Sequence, residues 1–178
     1  MRIAGAIVLL VALLGLGGVA AAADSAVGPQ AFYGRYKGTA VTQDPNAASY
    51  GFGDRDLDVE IGPAENGGFF VAWTTVIHPL SGNEPARSSA RVTFEPSPRP
   101  GIYVGHWAPD MAKGIAWAAI AGKVLRIRLL TILDDGTYEI QSYDRALDAH
   151  GLTLLFRSDR DGTTVKMVSA LLQKQGAQ

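Results

Sequence analysis

Asp144 and His106 are the residues whose types best suit chemistry in this chain. A carboxylate and an imidazole brought together make an acid–base pair, or they can hold the polar group of a bound molecule. Each lies in a short run of β-like sequence, "IYVGHW" and "IQSYDRAL", and both are expected on the inward face. A buried carboxylate needs a partner, because desolvating an unpaired charge is costly. The plainer reading is a polar pair near a strand end, bridged by water or by Arg145. Trp117, Arg126, Arg128, Tyr143 and Arg145 form a second group. On an outer face they stack as cation–π pairs. If the faces are exchanged, the same residues become an anion-binding interior.

Other chemistry is less well supported. Asp54, Asp56, Asp58 and Glu60 share one strand face. Oxygen clusters can bind calcium, but carboxylates spaced about 7 Å apart along a strand suit a solvated face. His78, His106 and His150 lie in separate runs without metal-ligand spacing. No metal and no cofactor are expected. The sequence contains no nucleophile elbow, phosphate loop or zinc motif, and with no cysteine it has neither thiol catalysis nor disulfides. Catalysis is therefore not the expected activity.

The bulk properties narrow the setting. Arg2, the apolar run Ile3 to Val19 and the small residues Ala20 to Ala23 read as a signal peptide over 1–23. Cleavage would leave Ala23 or Asp24 first, in a periplasmic or secreted protein. Residues 24–178 are long enough for one domain with a full core. Sixteen basic and seventeen acidic residues nearly cancel, and no basic patch stands out. Nucleic acid is not an expected partner. Nor is membrane insertion after cleavage, because no second long apolar segment occurs. Charged positions such as Asp56, Asp58, Arg91, Arg126 and Arg128 also argue against an outer-membrane barrel.

These side chains must be positioned by strands. Turn residues divide the chain into about ten β-like runs, near 33–43, 55–62, 68–78, 86–95, 101–107, 114–121, 124–133, 137–147, 152–158 and 163–173. The connections are too short for parallel crossovers, so neighbours pair antiparallel. Closing the meander removes its two open edges. The expected fold is all-β, an antiparallel up-and-down β-barrel of about 8–10 strands.

Pairing then assigns faces. Leu57, Val59 and Ile61 should meet Phe69, Val71, Trp73, Thr75 and Ile77 across the first hairpin. Gly122-Lys123 as a two-residue turn sets Ala121 opposite Val124. Pairing Leu133 with Tyr138 turns Ser142, Asp144 and Ala146 inward, and Tyr143 and Arg145 outward. Ala90, Val92 and Phe94 are expected against Ile102, Val104 and His106. Bulky Trp73, Phe69, Phe94 and Phe156 could fill the interior, or small residues could leave it hollow.

"FYGRYKG", Phe32 to Gly38, carries Gly-x-aromatic on the first strand. This resembles the Gly-x-Trp signature that opens lipocalins and related calycin barrels. In that family the aromatic plugs the closed end and a basic residue near the last strand packs over it. The resemblance sets Gly34 and Tyr36 at the motif positions and offers Lys166 or Lys174 as the cation. Tyr replaces the usual Trp. It implies a small hydrophobic or amphipathic ligand in the barrel. Tyr36, Trp73, His106 and Asp144 are the expected contacts within strands. Tyr50 and Phe52 in the longest loop, and Trp107 beside the loop "APDMAKG", are the expected contacts at the mouth. The alternatives are a structural or protein-interaction module with a filled barrel, and an enzyme at the barrel mouth.

Overall fold

The structure, a computed structural model, describes residues 27–43, 54–78, 83–107 and 114–176. The proposed signal segment and the loop residues Tyr50 and Phe52 lie outside the described residues. Ten strands follow a 3₁₀ turn over Pro29–Phe32. They are β1 (Gly34–Gln43), β2 (Asp54–Pro63), β3 (Phe69–His78), β4 (Ala86–Pro96), β5 (Ile102–Trp107), β6 (Gly114–Ala121), β7 (Val124–Ile132), β8 (Tyr138–Asp148), β9 (Gly151–Arg160) and β10 (Thr163–Lys174). Every strand pairs antiparallel with its chain neighbours, and β1 pairs with β10 to close the barrel. The expected barrel and its runs therefore hold, with the strand number at ten.

Alternation explains most of the interior. Leu57, Val59 and Ile61 of β2 are buried and lie opposite Thr75, Trp73 and Val71 of β3. Asp58 and Glu60 alternate with them along β2 and face outward. These carboxylates approach Lys37 Nζ at 3.4 Å and Arg35 Nε at 3.7 Å, so the acidic face is matched by cations of β1. On β6 and β7, Ala116, Ala118, Ile120, Leu125, Ile127 and Leu129 face inward. The turn at Gly122 has φ +55° and sets Ala121 opposite Val124, as the two-residue turn requires.

Two registers differ from the sequence reading. Between β7 and β8, Leu133 N–H donates to the Thr137 carbonyl at 2.8 Å, and Ile132 rather than Leu133 lies opposite Tyr138. The loop is thus Asp134-Asp135-Gly136, with Gly136 at φ +83°, one residue shorter than a four-residue connection. Asp135 Oδ1 fixes it by accepting from Thr137 N at 3.0 Å and Thr137 Oγ1 at 2.6 Å. A one-residue slip exchanges the faces of a strand. Tyr143 and Arg145 consequently point inward, and Asp144 outward. Ser142 and Ala146 share the outer face with Asp144, although Ser142 stays buried there.

The second difference lies between β4 and β5. Phe94 faces Gly105 and Val92 faces Trp107, whereas Thr93 faces His106. His106 is therefore on the outer face, as are Ile102 and Val104, and Tyr103 is buried in their place. The stiff connection "SPRPG" turns through Ser97 and Arg99, with Ser97 N–H donating to the Ile102 carbonyl at 3.0 Å.

One end of the barrel is filled. Phe32, Ile61, Phe69, Phe94, Leu125, Leu152 and Leu172 are all essentially without exposure there. Tyr36 joins them, and its hydroxyl donates to the Phe32 carbonyl at 2.7 Å, tying the 3₁₀ turn to the first strand. Lys174 Nζ lies 5.8 Å from the Tyr36 ring centroid, which makes Lys174, not Lys166, the cation over the plug aromatic. Gly34 has φ +149°, and a Cβ there would meet Lys174 Cε at 2.6 Å. The glycine of the motif is thus needed for its backbone conformation, whereas the flexible end of Lys174 could move aside for a Cβ.

Candidate functional site

The half of the barrel opposite the plug is hollow. A cavity of about 320 Å³ is lined by Leu57, Val59, Trp73, Ile77, Leu154 and Phe156, together with Arg55, Gln141, Tyr143, Arg145 and Lys166. Tyr143 is its hub. The Tyr143 ring lies 5.2 Å from Trp73 and 4.8 Å from Phe156, both tilted, so three aromatic faces meet across β3, β8 and β9.

The inner face of β8 supplies a polar ladder at alternate positions. Tyr143 O–H donates to Gln141 Oε1 at 2.9 Å, and Gln141 Nε2 donates to Glu139 Oε1 at 3.0 Å. Ser158 of β9 also donates to Glu139 Oε1, at 2.8 Å. The ladder consumes the polar atoms of Gln141 and Tyr143 that would otherwise compete for a ligand. Arg145, next along, is different. It is 1 % exposed, and its Nε and Nη1 have no hydrogen-bond partner. Its guanidinium carbon sits 5.0 Å from the Tyr143 ring centroid. A cation–π contact recovers part of the lost hydration, but it accepts no N–H.

Burial acts on both groups. Desolvation lowers the Arg145 pKa to about 10, with Tyr143 and Asp144 opposing it, so the side chain is still a cation at neutral pH. Desolvation pushes the Tyr143 phenol well above 10.0, and Glu139 adds to the rise while Arg145 offsets part of it. Tyr33, Tyr36 and Tyr103 are also raised, by burial first. An unfolded chain ionises these phenols near 10.0 while the folded chain keeps them protonated. The native state then holds more protons, so stability should fall as pH rises through 10. Arg145 pulls the other way from about 10 upward, and Arg55, lowered by burial too, acts in the same sense, but two guanidiniums are set against four phenols. Urea midpoints at about pH 8 and pH 10.5 should show the decline. An unchanged midpoint would contradict the burial assigned to these rings.

The expected contacts divide. Trp73 lines the cavity. Tyr36 belongs to the plug. Trp107 ends β5 in register with Val92, and its side chain lies outside the described set. Asp144 and His106 do not form an inward pair. Asp144 accepts from Arg128 Nη1 at 2.6 Å, with Arg126 Nε 3.9 Å away, and His106 Nε2 lies 3.3 Å from Glu95 on the outer wall. The slipped registers explain both. The cluster of Trp117, Arg126, Arg128, Tyr143 and Arg145 is split, with Tyr143 and Arg145 inside and the rest outside. Arg55, Gln141 and Phe156 line the cavity without having been singled out as contacts. A second depression, about 610 Å³, lies over the outer face of β1–β4. It is open to solvent, and its Arg35, Lys37, Asp58 and Glu60 already form cross-strand ion pairs.

A closed ten-strand meander with a glycine-aromatic plug and a hollow half can be compared with solved structures. Rv2717c from M. tuberculosis superposes with a TM-score of 0.52 at 16% identity, over 82% of this chain and 93% of that one. The S-type phycobiliprotein lyase CPES from Guillardia theta gives 0.52 at 10% identity, over 84% and 92%. The fold is a lipocalin-like, or calycin, barrel. No protein-family model matches the sequence, and no curated protein sequence matches it significantly. At these identities the likeness is one of fold, and fold alone does not give function.

Proposed function

We propose that this chain is an exported binding protein that holds a small hydrophobic or amphipathic molecule inside the calycin barrel. The observation that carries this reading is the cavity of about 320 Å³ walled by Trp73, Tyr143 and Phe156. Its volume is at the lower end of the range for small-molecule sites, about 300–1,000 Å³, and its lining is mainly apolar with a few convergent polar groups. The filled-barrel alternative describes only the plug half. The barrel-mouth enzyme loses its acid–base pair, because Asp144 and His106 are engaged on the outer wall. Similarity to a phycobiliprotein lyase is compatible with an interior that receives a small molecule. Export rests on the signal-like sequence of residues 1–23.

A neutral probe tests the cavity. Titration with 2-naphthol should quench Trp73 emission, since the ring sits in the cavity wall. Thr75 is on the inner face opposite Leu57 and also lines the cavity. Thr75→Phe should fill part of the space and abolish the quenching while the far-ultraviolet circular dichroism stays unchanged. Equal quenching in both proteins would remove the interior from consideration. Mass analysis of protein from a periplasmic fraction checks export, with Ala23 or Asp24 expected first.

A further inference from the structure

We infer that the molecule held in the barrel is an amphipathic organic monocarboxylate whose head group is bound by Arg145. This deepens the carrier reading and rests on it. Three facts point to the anion. Arg145 lines the cavity and is 1 % exposed, yet its Nε and Nη1 carry N–H groups without acceptors. Polar groups buried to this degree are nearly always satisfied, so an unsatisfied buried cation marks the place of a missing partner. Arg55 and Lys166 also line the cavity, while no acidic side chain does so among the described residues. The described side chains that line the cavity are thus cationic or neutral. The nearest protein carboxylate in sequence, Asp144, is on the other face and already bound to Arg128.

The rest of the lining sets the size and polarity of the ligand. Leu57, Val59, Trp73, Ile77, Leu154 and Phe156 offer an apolar wall. A carboxylate on a hydrocarbon or aryl body uses both parts, whereas a small inorganic anion would leave the wall wet. At about 30 Å³ for each water-sized group, a cavity of about 320 Å³ takes about ten non-hydrogen atoms. Register gives the orientation. Arg145 lies beside Leu125 and Leu154, one layer nearer the plug than Tyr143 and Phe156. The head group goes in first, and the tail runs back between the aromatic rings.

Calorimetry with octanoate, 1-octanol and octylamine on the full mature chain tests this. Charge-assisted hydrogen bonds should favour octanoate over octanol by about 10- to 100-fold. Octylamine should not bind. Arg145→Met should bring octanoate down to the affinity of octanol, and Arg145→Lys should restore part of the preference. Equal affinities of wild-type protein for the acid and the alcohol would overturn the inference without any variant and leave the carrier reading standing. Undiminished octanoate binding by Arg145→Met would also overturn it. Loss of 2-naphthol binding to the cavity would instead remove the carrier reading beneath it.

Discussion

The Arg145→Met protein is expected to be more stable than wild type when nothing is bound. Arg145 is buried at 1 % exposure without an anionic partner, and its Nε and Nη1 are unsatisfied. A desolvated ion in that state works against folding. Replacing buried ionic groups by apolar residues of similar length is commonly neutral or stabilising by about 1–4 kcal/mol. Met keeps the unbranched stem that packs against Tyr143 and removes the charge and the orphan donors. A gain of about 2 kcal/mol would raise the thermal midpoint by about 4–8 °C in a domain of this size. Since the guanidinium stays protonated up to about 10 in the folded state, the gain should be the same at pH 6 and pH 9. Calorimetric melting at both values checks the sign and the flatness. A fall of more than about 1 kcal/mol would assign Arg145 a structural role and weaken its reading as a ligand anchor.

The largest loss is expected at the opposite end. Phe69 has no exposure, stacks on Phe94 at 5.0 Å and 22°, and meets Tyr103 edge-on at 5.0 Å and 80°. Removing a buried phenyl ring costs about 3–5 kcal/mol through lost transfer energy and an unfilled void. Each aromatic pair contributes about 0.5–1.5 kcal/mol beyond area. Phe69→Ala should therefore lose at least about 4 kcal/mol in urea unfolding. Trp73 is half-buried beside an existing cavity, so Trp73→Ala should cost distinctly less despite its larger side chain. Similar losses at the two positions would contradict a barrel that is solid at one end and hollow at the other.

Strand positions were legible because their alternation and turn residues agree. β2 illustrates this: Leu57, Val59 and Ile61 are apolar, Asp58 and Glu60 are not, and only one phase buries the first set. β8 had no such guide. Glu139, Gln141, Tyr143, Arg145 and Leu147 occupy one face, and Tyr138, Ile140, Ser142, Asp144 and Ala146 the other, and neither set is clearly oily. Its phase then depended on the length of the loop at Asp134 to Gly136, which Asp135 shortens by binding Thr137. A better signal lay on the other side. Leu152 and Leu154 of β9 are apolar at alternate positions, and a two-residue turn at Ala149-His150 sets Arg145 opposite Leu154. Using that hairpin would have placed Arg145 inside. His106 was misplaced for a related reason, since Ile102 and Val104 look like core residues but stand on the outer wall, with Val104 50% exposed. Tyr50, Phe52 and the side chain of Trp107 are outside the described residues, so the mouth was legible only as loops.

The seam between β1 and β10 joins Tyr36 to Lys174 and Gln43 to Met167. That stitching links the earliest strand to the last one made. During synthesis, nine ribbons must therefore wait for their tenth, with both margins unpaired and able to recruit another chain. A nascent copy that stalls before Thr163 has no way to seal itself.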